Sequence, residues 1–156
     1  MSVAFLTQHA KDLRRLLMLL AVYIIAVHFI LTSSIFADPD IWWHWRTGQW
    51  ILEQRAVPHS DPFSQRGAGK PWAAYSWLFE LLMQGLYQRF GLQAIFIYKV
   101  PVVLGILWSV LLLLRRLQQS FLTALSLTFL FLLVLTPLMT PRPWLLTILF
   151  FTLELH

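Results

Sequence analysis

The stretch of sequence that decides the fold is LLMLLAVYIIAVHFILTSSIF, residues Leu16–Phe36, which spans 21 residues without a formal charge. As an α-helix rising about 1.5 Å per residue, it is long enough to cross a hydrocarbon layer of about 30 Å. Lys11, Arg14 and Arg15 precede it, as in a secretory signal. The run is longer than the apolar part of such a signal, and no small-residue cleavage site follows it. We therefore predict a signal anchor, a first membrane helix that stays in the protein.

The composition of the whole chain agrees with a membrane protein. Hydrophobic residues make up 58% of the chain and charged residues 12%, against about 45–50% and 25% in soluble domains, so a soluble enzyme is excluded. The absence of cysteine excludes a disulfide framework and a thiolate nucleophile. The net charge of +5 is explained by membrane topology, because the basic residues lie at the ends of apolar runs. We therefore expect no nucleic-acid partner.

Further apolar runs follow at 92–114 and 121–139, and a last one begins at Trp144. The last run has about ten apolar residues, half of what a span requires, so we expect a truncated fourth helix and a longer parent protein. Basic residues favour the cytoplasmic side of a membrane. Arg115 and Arg116, between the second and third runs, therefore place that connection and the N-terminus inside and the long first loop outside.

The sequence thus predicts an all-α membrane protein with three transmembrane helices, a truncated fourth and a long external loop that bears two interfacial helices. The lipid bilayer is its first expected partner. The predicted segments are a cytoplasmic N-terminus at 1–15, transmembrane helix 1 at 16–36, the external loop at 37–91, transmembrane helix 2 at 92–114, transmembrane helix 3 at 121–139 and the truncated helix 4 at 144–156.

The external loop is far longer than an ordinary connection between helices, and loops of this length are usually functional. It begins with Asp38-Pro39-Asp40, which is typical of a helix start. Asp38 suits the N-cap, Pro39 the first helical position, and Asp40 the first turn, where the helix dipole favours an anion. We predict a helix at 39–54 and a second one at 71–90.

Polar side chains are grouped on these two helices. On the first, Asp40, His44 and Thr47 fall on one face, so a carboxylate and an imidazole point to the same side. On the second, a polar stripe on an otherwise apolar surface suits a helix with one edge in a wet cavity. The stripe consists of Ser76, Glu80, Gln84 and Gln88. Six of the eight tryptophans also lie in the loop, where they are expected to anchor it at the membrane interface.

Three strings in the loop, DPDIWWHWRTG at 38–48, VPHSDPFS at 57–64 and WAAYSWLFE at 72–80, resemble the start of bacterial polytopic glycosyltransferases of the GT-C superfamily. Residues 40–47 are also distantly similar to the first-loop signature of the oligosaccharyltransferase catalytic subunit, although His44 stands where that signature usually has asparagine. The resemblance covers the loop and its two flanking helices. It implies a bacterial cytoplasmic membrane, and activity only in the full-length protein.

The resemblance implies a polyprenyl-phosphate-linked sugar as the donor and an acceptor that the sequence does not identify. It makes Asp40 the first candidate for the catalytic acidic residue and Asp38 the second. A base must take the acceptor's proton, whereas a phosphate leaves without a general acid. Positive charge must meet that phosphate. The candidate substrate-binding residues are His44, Arg46, Glu80, Arg142, Lys99 and Asp61. No cofactor is certain, and a divalent metal ion held by Asp40 and His44 is an open alternative.

Structural roles compete with these functional ones. Asp38 fits an N-cap and Asp61, before Pro62, a cap or turn residue. Lys99 is placed to extend its side chain to the outer interface, and Glu80 to satisfy a buried contact. For the whole chain, the alternative to a glycosyltransferase is a non-enzymatic membrane scaffold or a transporter fragment.

Overall fold

The computed structural model of the chain describes residues 3–33 and 38–156, and this part is all-helical, with a single isolated bridge between Ser60 and Pro71 in place of strands. The α-helices are α1 (Val3–Thr32), α2 (Asp40–Gln54), α3 (Trp77–Phe90), α4 (Ala94–Arg116), α5 (Phe121–Leu135) and α6 (Trp144–Glu154), and 3-10 turns lie at Gly91–Gln93 and Thr136–Leu138.

Three helical stretches in the described residues are long and apolar enough to cross a membrane: Thr7–Thr32, Trp77–Arg116 and Phe121–Leu138. Large apolar side chains stay exposed along them, such as Ile24 and Val134. Continuous apolar surface of this kind marks contact with lipid or with another protein. The predicted all-α fold with three long apolar helices is confirmed, whereas the position of α2 and α3 at a membrane surface stays a prediction.

The chain divides into two compact units. The membrane unit comprises Met1–Ser34, Lys99–Met139 and Trp144–His156, and the loop unit comprises Ile35–Tyr98 and Thr140–Pro143. In the membrane unit, α1 packs against α5, and Gly105 of α4 lies against Leu149 of α6. Most buried residues of this unit are apolar, such as Ala26, Ile106 and Leu132, but Lys99 and Thr128 are buried with them.

Two boundaries in the membrane unit differ from the predictions. Helix α1 begins near the N-terminus instead of at residue 16, because Asp12 accepts hydrogen bonds from Gln8 and Arg15, one turn away on either side. It ends at Thr32, whereas the predicted end at residue 36 lies outside the described residues. Helix α4 includes Arg115 and Arg116, which were predicted to follow it.

In the loop unit, α2 packs closely on α3. The two helices meet at Gly48, where an added Cβ would lie 2.7 Å from Gln84 Cβ and closer still to the carbonyl oxygen of Glu80. Trp45 packs on Tyr87, with ring centroids 4.4 Å apart. Glycine at this position therefore lets the backbones of α2 and α3 approach closely.

The second loop helix is shorter than predicted, since it begins at Trp77 rather than at residue 71. The preceding residues use their backbone groups elsewhere: the Trp72 amide donates to the His59 carbonyl and the Asp61 amide to the Lys70 carbonyl. Pro71 cannot donate at all. The chain from His59 to Trp72 is therefore a folded-back loop that lies ahead of α3.

Candidate functional site

The loop unit contains a cavity of about 530 Å³ into which the predicted polar face of α2 is directed. Its titratable lining residues are Asp40, His44, Asp61, Glu80 and Arg142. Its aromatic lining residues are Trp43, Phe63, Trp72 and Tyr75. Thr47 also lines it, so the prediction that Asp40, His44 and Thr47 share one face is confirmed. Glu80 of α3 and Ser76, which immediately precedes this helix, are the members of the predicted polar stripe that line the cavity.

Arg142 joins the two aspartates that precede and begin α2. Its Nη2 lies 2.6 Å from Asp38 Oδ1 and 2.6 Å from Asp40 Oδ2, and its Nε also donates to Asp38 Oδ2. Asp38 is thus held in a two-point contact, the strong geometry for an arginine and a carboxylate. Tyr98 fixes the other side of the residue, since its hydroxyl donates to the Arg142 carbonyl at 2.8 Å.

The two aspartates differ in accessibility. The side chain of Asp38 is 3% exposed, and its Oδ1 also accepts the Asp40 amide at 3.1 Å. It therefore supports the start of α2, but the N-cap position is Pro39 and the helix begins at Asp40, so the predicted N-cap at Asp38 was one residue too early. The side chain of Asp40 is 48% exposed, so Asp40 can meet a ligand and Asp38 cannot.

The pKa values of this cluster follow from its contacts. Burial raises the pKa of Asp38, but the hydrogen bonds from Arg142 and the Asp40 amide and the positive charge of Arg142 outweigh it. The pKa of Asp38 therefore lies below its ordinary value. The hydrogen bond to Asp38 raises the pKa of Arg142 above its ordinary value. Both groups stay charged at neutral pH, and the guanidinium is held in place by a permanent anion.

His44 and Glu80 form the second polar contact of the cavity, between α2 and α3. His44 Nδ1 lies 3.4 Å from Glu80 Oε1, and the imidazole packs edge-on against Phe79, with ring centroids 5.0 Å apart. Glu80 is 4% exposed. Its second oxygen, Oε2, is buried and has no hydrogen-bond partner among the described residues. A carboxylate oxygen in that state is costly unless a ligand or water donates to it.

Asp61 holds the far wall of the cavity. Its Oδ1 accepts the amides of Phe63 and Ser64 at 2.9 and 3.1 Å, and its Oδ2 accepts the Ser64 hydroxyl. The hydrogen bonds from the Ser64 side chain and from the two amides lower the pKa of Asp61. This is the turn role that the sequence predicted, and it positions Phe63, whose ring contacts Trp43 and Trp72.

The remaining predicted basic ligands do not line the cavity. Arg46 donates to Gln49 Oε1 at 3.1 Å, and its guanidinium lies 5.8 Å from the Phe63 ring centroid. Lys99 belongs to the membrane unit. Its Nζ donates to Ser33 Oγ at 2.5 Å and the residue is 1% exposed, so Lys99 is buried within that unit.

A divalent metal ion does not fit the donors present. In the part of the chain that the structure describes, no three His, Asp or Glu side chains converge as metal ligands would. Asp38 and Asp40 converge instead on the guanidinium of Arg142, and His44 faces Glu80 rather than Asp40. The two aspartates nearest to such a site already contact the guanidinium of Arg142.

Two features of the site were missed in the sequence. Nothing in the residue pattern links Tyr98 or Arg142 to Asp38, because 104 positions separate the arginine from the aspartate. The sequence analysis placed Arg142 among the candidate substrate-binding residues but predicted no partner for it. The folded-back loop also contributes to the aromatic walls through Phe63 and Trp72, although Trp72 was predicted to lie in the second loop helix.

Comparisons with known proteins identified no relative of this chain. No protein-family model, no curated protein and no solved structure matches the chain.

Proposed function

We propose that the chain is the N-terminal part of a GT-C-type membrane glycosyltransferase, which moves a sugar from a polyprenyl-phosphate carrier to an acceptor. In this proposal the N-terminus is cytoplasmic, and the loop unit lies on the outer face of a bacterial cytoplasmic membrane. Helices α2 and α3 then lie at the interface. The sequence resemblance and the positive-inside pattern support it.

One observation carries the proposal: Asp40 presents a half-exposed carboxylate to an aromatic-walled cavity, and its position is fixed by Arg142. A general base must be accessible to the proton that it removes and must be held in place. Asp38 meets only the second condition, since both of its oxygens are engaged and its side chain is buried. We therefore assign the base to Asp40, and to Asp38 the role of holding Arg142.

In the proposed reaction, an acceptor hydroxyl attacks the anomeric carbon of the donor sugar. A new carbon–oxygen bond forms while the bond to the carrier phosphate breaks, and the phosphate leaves with the electron pair. The proton of the hydroxyl passes to Asp40. The phosphate requires neighbouring positive charge, but Arg142 already contacts two carboxylates. We therefore assign the cavity to the acceptor and expect most of the phosphate contacts to come from elsewhere in the full-length protein.

Transfer of labelled sugar in membranes that contain the full-length protein tests this assignment. Asp40→Asn should lower transfer by about 100-fold or more, the range for loss of a general base, without changing the amount of protein inserted. Glu53→Gln is the matched control, because Glu53 lies on the same helix, accepts a hydrogen bond from Gln49 and does not line the cavity. Transfer at the wild-type rate by a normally inserted Asp40→Asn protein would instead favour the scaffold alternative.

A further inference from the structure

The charge of the cavity is opposite to that expected for a phosphate site. Three carboxylates line it, from Asp40, Asp61 and Glu80, against the single guanidinium of Arg142 among the described residues. That guanidinium is also paired with Asp38, behind the cavity wall. The lining is therefore negative, and it disfavours an anionic ligand while it favours a cationic one.

Glu80 supplies a specific place for such a ligand. Its side chain is 6% exposed, it lines the cavity, and its Oε2 has no hydrogen-bond donor among the described residues. Trp45 Nε1 and Thr140 Oγ1 are also buried without a partner, but neither residue lines the cavity. Among the buried unpartnered atoms of the described residues, Glu80 Oε2 is thus the one whose residue lines the cavity, and a carboxylate oxygen gains most from a charged donor.

Aromatic rings form another part of the cavity wall. Trp43 and Trp72 both flank Phe63 in the cavity wall, with centroids 5.8 and 6.1 Å from that ring. Aromatic faces attract cations, and tryptophan also stacks on apolar faces of sugars and similar rings. A ligand with both a cationic group and a polar ring would pair with the carboxylate through the cation and stack on the aromatic side chains through the ring.

We infer that the cavity binds a ligand that carries a protonated primary amine, with the ammonium donating to Glu80 Oε2. This rests on the proposed function, because it assigns the amine to the acceptor or to the lipid that presents it. The same chemistry is found in an amino sugar and in an ethanolamine headgroup. Glu80 here is a binding residue and takes no part in proton transfer.

Binding to the whole 156-residue chain in lipid nanodiscs tests the inference without any transfer reaction. The probes are a primary-amine hexoside, its N-acetyl derivative and the parent hexoside, all as methyl glycosides. Tryptophan fluorescence reports occupancy, since Trp43 and Trp72 line the cavity. We expect the amine to bind at least about tenfold more tightly than its N-acetyl derivative. Glu80→Gln should abolish that preference, and Glu53→Gln should keep it.

Two lipid compositions distinguish the sources of the amine. If phosphatidylethanolamine in place of phosphatidylcholine weakens binding of the amine hexoside, the headgroup competes for the cavity and is the ligand. If it has no effect, the ligand is an amino sugar. Equal binding of the amine and its N-acetyl derivative, no binding of the amine, or an unchanged preference in a folded Glu80→Gln protein would overturn the inference.

The failure of this inference is separable from the failure of the proposed function. If Asp40→Asn loses transfer but the wild-type protein shows no preference for the amine, the glycosyltransferase proposal stands and only the amine ligand is refuted. If the preference for the amine depends on Glu80 but Asp40→Asn transfers sugar at the full rate, the amine ligand stands and only the catalytic role of Asp40 is refuted.

Discussion

Replacement of Gly48 by alanine tests whether close approach of α2 and α3 builds the cavity. The added Cβ would lie 2.7 Å from Gln84 Cβ and nearer still to the Glu80 carbonyl oxygen, whereas carbon atoms in contact are normally about 3.5–4.0 Å apart. The oxygen belongs to the helix backbone, so a side-chain rotation cannot relieve the clash. The helices must separate by about 1 Å, and overpacking of this kind costs about 1–3 kcal/mol.

Gly85→Ala is the matched control for this substitution. Gly85 lies inside α3, and a Cβ added there meets no atom within 4 Å. Both substitutions gain the same helix propensity, about 1 kcal/mol, so the difference between the two variants isolates the clash. We expect Gly48→Ala to have a free energy of unfolding about 1–3 kcal/mol below that of Gly85→Ala.

Titration with a denaturing detergent in mixed micelles measures these free energies. Because Glu80 follows the displaced backbone, Gly48→Ala should also weaken binding of the amine hexoside, whereas Gly85→Ala should not. Equal stability of the two alanine variants would refute the close packing of α2 on α3, and with it the geometry of the cavity.

Two further predictions concern the carboxylates. Since the pKa of Asp38 is lowered in the folded protein, its stabilising contribution is present above its unfolded pKa of about 3.9 and is lost as the pH falls through the folded pKa. The melting temperature of Asp38→Asn should therefore lie below that of the wild type at pH values above about 5 and converge on it in stronger acid; a constant gap would contradict the ion pair with Arg142. Ser64→Ala should raise the pKa of Asp61 toward its ordinary value, because the Ser64 hydroxyl is the main cause of the lowering, and a carboxyl-carbon NMR titration that shows no change would contradict that turn.

Some local features were predictable because they depend on near neighbours in the chain. The start of α2 follows from Pro39 and Asp40, and its end at Gln54 was predicted at the same residue. The shared face of Asp40 and His44 follows from helical periodicity. The start of α3 was predicted six residues too early, because the backbone of Trp72 is bonded to His59 across the folded-back loop, a contact that helical periodicity does not reveal.

The sequence by itself determined that the chain is helical and apolar enough to span a membrane, since hydrophobic length and charge placement act along the chain and need no partner. It also determined which polar residues share the inner face of α2. Only the tertiary structure decided which of these become a site. It brings Arg142 to Asp38 and Asp40, gives one oxygen of Glu80 no donor from the described part of the chain, and directs Arg46 and Lys99 elsewhere. These outcomes depend on contacts between residues far apart in the chain, and such contacts are set by packing rather than by local pattern.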